Sequence, residues 1–402
     1  MKKKILIVAG ESSGDIHGAA LVRALREEAR DGTELDVFGM GGGSMKTAGV
    51  RILHDITSLA AVGLIESLAS IGAFISTFRL MTAAARREKP DLAVLIDFPE
   101  FNLRFAQRLK ELGIPVVYYI SPQVWAWRPW RIKHIAKFVD LMLVFFGFEE
   151  KLYREHGVNV KWVGHPLLDH LAGGPDKVSA RSRIGFEGAG TLIGLLPGSR
   201  SKTFERVFPV MAESARIIAG ALNDTAFAIG CASEISGRSF RQFEQRYRFR
   251  TVAQRGWREP SRDDIVRPRG TTPEFAVLRG QTYDLMRAAD LLIISSGTAT
   301  LEAAIIGTPM VVTYKASPVS WLLTIPLINV STYALTNIVA ERRVVPELIQ
   351  WRARPQLIAD EVMRLFRNGG LKTMAAELNA VRARLGEPGA ARRAAGYILE
   401  KL

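Results

Sequence analysis

Two stretches of the sequence decide the fold: KKKILIVAGESSGD, Lys2–Asp15, and TLIGLLPGSR, Thr191–Arg200. Each places a run of apolar residues before a glycine-bearing turn, and a segment with the apolar spacing of a helix follows. A strand, a glycine turn and a helix in this order are typical of the first unit of a doubly wound parallel sheet. Because the pattern begins twice, the chain is predicted to contain two such domains.

The segments after each start support this interpretation. Strands such as DLAVLID and LLIISSG are apolar on both faces and alternate with helical segments, as in buried parallel sheets. A polar stretch rich in Gly and Pro near residues 171–185 predicts a linker. The predicted α/β fold is GT-B: two Rossmann-like, doubly wound domains that face each other across a cleft. The expected domains are 1–172, 185–345, and 346–402 as C-terminal helices packing back toward the first domain.

The composition narrows the class of protein. The 402 residues carry a formal net charge of +14, which favours anionic partners such as nucleic acid, an acidic membrane or a phosphorylated substrate. The basic residues are spread along the chain without a concentrated stripe or a known module, so no nucleic-acid partner is expected. The single cysteine, Cys231, excludes an intramolecular disulfide framework and fits a reducing cytoplasm.

One apolar segment, 59–78, is long enough to be mistaken for a transmembrane helix. Its apolar residues recur at spacings of three and four, which predicts an amphipathic helix that lies on a core or in a membrane interface. The stripe consists of Leu64, Leu68, Ile71, Ile75 and Phe78.

The first glycine turn, AGESSGD, is a candidate ligand site. Ser12, Ser13 and Gly14 stand where the amides at the start of a helix can hold an anion or a hydroxyl-rich ligand. The alternative is an ordinary turn in which Ser12, Ser13 or Asp15 caps the helix. The turn is not GxGxxG, so it supports dinucleotide binding only weakly.

The second domain offers two turns for a nucleotide diphosphate. Ser199 and Arg200 end the PGSR turn, where amides and a guanidinium can bind phosphate. Thr298 opens a second helix, whose N-terminus favours negative charge. Glu302, one turn into that helix, can accept hydrogen bonds from ribose hydroxyls, or it is only a first-turn acid that complements the helix dipole.

The first domain offers two carboxylates in LIDFPEFN. Asp97 ends a predicted buried strand and Glu100 follows on the loop, at the edge of the sheet where ligands of such folds bind. Either carboxylate could act as a general base, and Asp97 could instead cap the next turn. No His, Cys or Asp spacing indicates a metal site, so neither a metal nor another cofactor is expected.

Taken together, AGESSGD, IDFPEFN, SPQVWAWRPWRIKHI, WVGHPLLD, LLPGSR, SGTATLE and NIVAERRVVPELIQ resemble, in order and spacing, the bacterial lipid-A-disaccharide synthases, glycosyltransferase family 19. The resemblance extends from about residue 5 to 350. It implies an inverting, metal-independent enzyme that uses a UDP-diacylglucosamine donor and a diacylglucosamine 1-phosphate acceptor. Domain 1–172 would then be the acceptor side, and domain 185–345 would bind the UDP-sugar. It also implies peripheral attachment to the cytoplasmic face of the inner membrane, where the Leu64–Phe78 stripe would lie in the interface, and it allows a homodimer.

The resemblance also assigns residues. Arg200, Glu302 and Asn337 fall on the donor-site motifs, and Ser199 and Thr298 fall near the diphosphate. Glu100 stands where the family usually has the aspartate proposed as base, whereas Asp97 matches an aspartate of the family. In SPQVWAWRPWR we expect Ser121 and Gln123 to face the cleft and Trp125 and Trp127 to pack its wall. Arg128 and Arg131 are expected to bind an acceptor phosphate or to lie on the surface.

Two other functions stay open at this point. The chain could be a different UDP-sugar enzyme of the same fold, such as a 2-epimerase or another glycosyltransferase. It could also be a basic RNA- or membrane-binding module without catalysis.

Overall fold

The structure, a computed structural model, describes residues 2–30, 32–56, 68–231, 235, 237–243, 245–251, 273–317, 321, 332–367 and 369–402. The described residues fall into two compact units. The first unit comprises those of 2–170 and 385–402, and the second comprises those of 171–384.

The first unit is built on a seven-stranded sheet with the order β3-β2-β1-β4-β5-β6-β7, in which all neighbours are parallel. Its strands are β1 Lys2–Ala9, β2 Glu34–Gly41, β3 Arg51–Asp55, β4 Leu92–Ile96, β5 Val116–Tyr119, β6 Leu141–Val144 and β7 Val160–Trp162. The helices of this unit are α1 Ser12–Glu28, α2 Gly43–Thr47, α3 Leu68–Glu88, α4 Pro99–Glu111, α5 Arg131–Phe138, α6 Gly147–Glu155, α7 Leu167–Leu171 and α16 Ala390–Leu399.

Both faces of this sheet are buried. In β1 the side chains of Ile5 and Ile7 belong to the core on one face, and those of Leu6 and Val8 to the core on the other. This alternation of fully buried residues is the reason that the strands read as continuous apolar runs. The C-terminal helix α16 contributes Ile398 to the core on the Ile5 face.

The second unit repeats the plan with the order β10-β11-β9-β8-β12-β13-β14, again with parallel neighbours. Its strands are β8 Thr191–Leu196, β9 Thr225–Cys231, β10 Arg248–Thr251, β11 Glu274–Arg279, β12 Leu291–Ser295, β13 Met310–Tyr314 and β14 Glu347–Ile349. The helices are α8 Lys177–Arg183, α9 Ser201–Ala221, α10 Gly237–Arg241, α11 Thr282–Ala288, α12 Thr298–Ile306, α13 Leu335–Ala340, α14 Pro355–Phe366 and α15 Gly370–Ala383, with a short 3₁₀ turn at Gln350–Arg352.

The predicted class, two doubly wound α/β domains, is confirmed. Helices α14 and α15 lie in the second unit and α16 lies in the first, so the residues after 346 divide between the units. The predicted domain limits and the predicted cleft stay predictions.

In each sheet the strand order reverses near the middle, between β1 and β4 in the first unit and between β8 and β12 in the second. At such a point the connections leave on opposite faces, and a crevice opens outside the carboxyl ends of the two strands. The AGESSGD and IDFPEFN motifs follow β1 and β4, and the PGSR and SSGT turns follow β8 and β12. The topology therefore brings the predicted motifs together in pairs.

The predicted apolar stripe is described only in part. Leu64 and the side chains of Leu68 and Ile71 lie outside the described residues. Ile75 is exposed, whereas Phe78 turns inward and packs edge-on against Phe101, which removes it from the predicted interfacial surface. No helix within the described ranges combines the length and the apolar character that a membrane span requires.

Candidate functional site

Asp97 lies at the reversal point of the first sheet, immediately after β4. Its backbone is in the left-handed region, with φ of 45°. Two side chains hold it there: Asn102 Nδ2 donates to the Asp97 carbonyl at 2.8 Å, and Tyr118 Oη donates to the same oxygen at 2.6 Å. A non-glycine residue in this conformation costs free energy, so these bonds maintain a strained position of the kind common in active sites.

The environment of Asp97 raises the pKa of its carboxyl group to about 6. Burial is the largest cause, and the negative charge of Glu11 adds to it, while the backbone N–H of Phe98 opposes the shift. A carboxylate with a pKa of about 6 is largely ionised at neutral pH and is more basic than an ordinary aspartate. These properties suit a general base.

Glu100, in the first turn of α4, has a different environment. Its carboxylate accepts hydrogen bonds from Arg128 Nη1 at 2.9 Å and from Arg131 Nη2 at 2.6 and 2.7 Å. Burial of Glu100 acts in the opposite direction, but the bond to Arg131 and the charges of Arg131, Arg128 and Arg104 lower the pKa of Glu100. The two carboxylates of IDFPEFN therefore differ: Glu100 is a paired anion and Asp97 is the stronger base.

The turn after β1 adjoins Asp97. Ala9 and Ile96 are register partners in β1 and β4, so Gly10 and Asp97 are the next residues on adjacent strands. A Cβ atom built on Gly10 would lie 2.1 Å from Phe98 Cδ1. Only glycine lets the two turns approach this closely, which accounts for glycine in the AGESSGD motif.

Ser12 and Ser13 are exposed at the start of α1, and Gly14 is buried against Ala9. Both serines line a surface cavity of about 910 Å³ together with Arg23, Ser44 and Ile56. Its volume is within the range of small-molecule sites, about 300–1,000 Å³. The AGESSGD turn and the β2–α2 loop thus border an open cavity that reaches Gly10, the neighbour of Asp97.

Asp15 does not cap α1, contrary to one of the sequence alternatives. Its carboxylate accepts hydrogen bonds from the backbone N–H groups of Gly42, Ser44 and Met45 at 2.7–3.0 Å. The N-cap residue of α1 is Glu11, which makes no side-chain cap bond. Asp15 therefore fixes the β2–α2 loop that forms one wall of the cavity.

The SPQVWAWRPWR segment follows β5 in the same unit. Ser121 turns inward, contrary to the expectation for this residue, and its Oγ lies 2.8 Å from both the Pro122 carbonyl and Tyr153 Oη. Gln123 is exposed.

Trp127 stacks against two guanidinium groups of the same segment. Its side chain is 37% exposed, and its ring centroid lies 4.4 Å from Arg128 Cζ and 5.6 Å from Arg131 Cζ.

The buried side chain of Glu149 anchors the SPQVWAWRPWR segment through Trp125. Trp125 Nε1 donates to Glu149 Oε1 at 3.1 Å, and burial raises the pKa of Glu149 to about 7, although hydrogen bonds from Phe146, Trp125 and Ser121 act against the shift. The tryptophans therefore have two roles, since Trp125 anchors the segment and Trp127 stacks on its arginines.

In the second unit, the two predicted turns adjoin as expected. Leu196 and Ile294 are register partners in β8 and β12. A Cβ built on Gly198 would lie 3.7 Å from Ser295 Oγ, so the PGSR turn lies against the end of β12. Gly198 has φ of 111°, a conformation that favours glycine.

The surfaces of these turns carry exposed polar groups. Ser199, Arg200 and Thr298 are exposed, and Thr298 begins α12 after Gly297, which supplies no side-chain cap. Glu302 is half-buried and accepts a hydrogen bond from Tyr283 Oη at 3.1 Å. The strand ends thus present a guanidinium and a helix N-terminus at one place, as a diphosphate requires.

Asn337 has a structural environment. Its Nδ2 donates to the Val345 carbonyl and to Glu347 Oε1 at 2.9 and 2.8 Å, and its Oδ1 accepts from the N–H groups of Val344 and Val345. All four hydrogen-bonding positions of the amide are occupied. A direct contact with a donor substrate would require one of these bonds to break.

Sequence reasoning missed the supports of Asp97. Asn102 lies inside the IDFPEFN motif, and Tyr118 lies in β5, the strand that pairs with β4. The sequence around these residues does not indicate that both side chains bond to the Asp97 carbonyl. The effect of Glu11 on Asp97 depends on the strand order, because the two residues follow strands β1 and β4, which are neighbours only in the folded sheet. Within the described ranges, no group of three or more His, Cys, Asp or Glu side chains is arranged to hold a metal ion.

Solved structures share this architecture. The S. aureus MnaA–UDP co-structure aligns with a TM-score of 0.61 at 12% identity and covers 100% of this chain and 98% of its own. The crystal structure of Acinetobacter baumannii MurG aligns with a TM-score of 0.59 at 13% identity over the full length of both chains. These low identities establish the fold, and the two sheets with paired turns at their reversal points define a protein of the GT-B class.

Proteins of similar sequence identify the family as well as the fold. The family model described as lipid-A-disaccharide synthetase matches residues 5–254 and 262–400. The lipid-A-disaccharide synthase of Syntrophus aciditrophicus is 40% identical, with 98% of this chain and 96% of that protein covered. That of Trichlorobacter lovleyi is also 40% identical, with 99% and 97% covered. The chain belongs to the lipid-A-disaccharide synthase family.

The close approach at Gly10 gives a first prediction. Gly10→Ala should lower the free energy of unfolding by about 1–3 kcal/mol, because the added methyl group collides with the Phe98 ring in a packed turn. Thermal unfolding measures the change. Gly43→Ala is the matched control, because a Cβ there meets no atom within 4 Å. Equal stabilities of the two variants would contradict the described packing.

Proposed function

We propose that the chain transfers the diacylglucosaminyl group of UDP-2,3-diacylglucosamine to the 6-hydroxyl of 2,3-diacylglucosamine 1-phosphate. The products are a β-1,6-linked tetraacyl disaccharide 1-phosphate and UDP. Membership of the lipid-A-disaccharide synthase family carries this proposal, because the match extends over nearly the whole chain. The likeness to 2-epimerases, at 12–14% identity, reaches only the fold.

The acceptor side of the reaction is assigned to the first unit. Asp97 accepts the proton of the 6-hydroxyl as its oxygen attacks the anomeric carbon of the donor. The raised pKa of Asp97 and its fixed backbone favour this residue over Glu100, whose carboxylate is paired with two arginines. Ser12 and Ser13 line the cavity that we assign to the acceptor sugar, and Gly14 is buried against Ala9.

The donor side is assigned to the second unit. As the new bond forms, the bond between the anomeric carbon and UDP breaks, and the leaving diphosphate takes the electron pair. Arg200, Ser199 and the start of α12 at Thr298 stabilise this charge. Glu302 accepts hydrogen bonds from the ribose, while Asn337 acts indirectly by shaping the loop that it bonds. Direct displacement from the opposite face inverts the anomeric centre.

The reaction itself is the test of the proposed function. Wild-type protein with both lipid substrates in detergent should form the tetraacyl disaccharide 1-phosphate, detected by mass spectrometry. Asp97→Asn should reduce turnover by about 10²–10⁴-fold, the range of a general-base contribution. UDP binding, measured by calorimetry, should be retained. Absence of product from folded wild-type protein that binds UDP would refute the function, and near-normal turnover of the variant would refute the role of Asp97.

The pH dependence tests the same base independently. Because Asp97 must be ionised, kcat/KM should fall as the pH decreases through about 6, the pKa of its carboxyl group. Glu11→Gln removes a negative charge that raises this pKa, so the acid limb should move to lower pH. A limb that stays in place in the variant would belong to another group, such as the acceptor phosphate.

The donor site has a direct test as well. Arg200→Ala should weaken UDP binding by about ten- to a hundredfold, the value of a lost charge-assisted hydrogen bond. Arg206→Ala is the matched control, because Arg206 is exposed on α9, the helix that follows the turn. If both variants bind UDP equally well, the PGSR turn is not the diphosphate site.

Association with the cytoplasmic face of the inner membrane and formation of a homodimer stay predictions. The exposed Ile75 and Leu80 of α3, at 44% and 45% exposure, support an interfacial surface. The net charge of +14 favours contact with anionic lipids.

A further inference from the structure

The carboxyl edge of the first sheet holds a group of positive charges that the transfer reaction leaves unassigned. Arg128 and Arg131 both donate to Glu100, and Arg104, one turn further along α4, lies near enough to help lower the pKa of Glu100. Three guanidinium groups thus surround one carboxylate. The cluster formed by Arg104, Arg128, Arg131 and Glu100 carries a local net charge of +2.

The arginines of this cluster are held in place by more than Glu100. Trp127 stacks on Arg128 at 4.4 Å and on Arg131 at 5.6 Å, which restricts both side chains. Arg128 has a left-handed backbone, with φ of 58°, so the chain itself is bent to bring this residue to the cluster. The Arg131 side chain is only 12% exposed. The cations would therefore keep their positions if the carboxylate moved away.

Glu100 is the member of this cluster that can turn away from the others. Its side chain is 51% exposed, so it can turn into solvent without leaving a buried charge unpaired. A carboxylate that is half-exposed yet bonded to two fixed arginines occupies the place that another anion could take. Guanidinium groups bind a phosphate through parallel, charge-assisted hydrogen bonds.

We propose that Arg128 and Arg131 bind the phosphate of the acceptor, and that Glu100 is the counterion that this phosphate displaces. The proposal rests on the proposed function and adds to it the site that recognises a phosphate monoester. A phosphate monoester carries a charge of about −1.5 to −2 at neutral pH, which matches the combined charge of +2 on Arg128 and Arg131 once Glu100 has left them. Glu100 lies three residues after Asp97, so the phosphate site adjoins the base.

Two acceptors separate this role from a structural one: diacylglucosamine 1-phosphate and the same lipid without the phosphate. For Arg131→Gln and Arg128→Ala, the KM of the phosphorylated acceptor should rise about ten- to a hundredfold, whereas that of the dephosphorylated acceptor and that of the donor should not change. Arg108→Ala is the matched control, because Arg108 lies on α4 and pairs with Glu111 at 2.5 Å, outside the cluster.

Glu100→Gln should act in the opposite direction. Removal of the competing charge lowers the KM of the phosphorylated acceptor severalfold and leaves that of the dephosphorylated acceptor unchanged. A merely structural role of Glu100 would give no such decrease. A large loss of turnover at unchanged KM would overturn the proposal, because Glu100 would then be the base.

The remaining outcomes keep the two proposals apart. If the wild type forms product but the arginine variants lose activity equally with both acceptors, the phosphate site is refuted and the transfer reaction stands. If the wild type forms no product, the transfer reaction is refuted, and calorimetric titration with glucosamine 1-phosphate and with glucosamine tests the site. Binding of the phosphorylated sugar that Arg131→Gln abolishes would support the site, and equal binding of both sugars would overturn it.

Discussion

The pairing of parallel strands at the reversal point of each sheet is the constraint on which the rest of the molecule depends. Because Ala9 pairs with Ile96 in β1 and β4, the chain must place Gly10 beside Asp97 where the strands end. The pairing of Leu196 with Ile294 does the same for the PGSR and SSGT turns. Backbone hydrogen bonds inside the sheets therefore fix the relative positions of residues that are 87 positions apart in the first unit and 98 in the second.

The same constraint separates the chemistry of two carboxylates that are three residues apart. Asp97 stays at the strand end, half-buried and close to Glu11, so its pKa is raised. Glu100 begins the following helix and reaches the arginines of the neighbouring connection, so its pKa is lowered. Environments that move two pKa values apart are how one site provides a base and a permanent anion. The roles follow from the geometry of the strand end and not from the type of residue, since both are acids.

The sequence was sufficient for the architecture, because strands buried on both faces and glycine turns leave strong local patterns. It was insufficient for the direction of individual side chains. Ser121 and Asn337 are polar residues in recognisable motifs, yet one turns toward Tyr153 and the other bonds Val345 and Glu347. Whether a polar group serves a ligand or the fold depends on partners that are distant in sequence. Asp15 shows this as well, since its carboxylate is satisfied by amides of a loop 27–30 residues away.

The two proposed phosphate-binding regions face different energetic requirements. In the proposed reaction the diphosphate gains negative charge as the donor bond breaks, so contacts from Arg200 and the start of α12 would stabilise the transition state more than the bound substrate and would increase kcat. The acceptor phosphate has the same charge before, during and after transfer, and the product retains it. Contacts to it provide uniform binding, which lowers KM and also slows product release. A carboxylate that competes for Arg128 and Arg131 reduces this uniform affinity, so the arginines can select a phosphorylated acceptor without retaining the phosphorylated product.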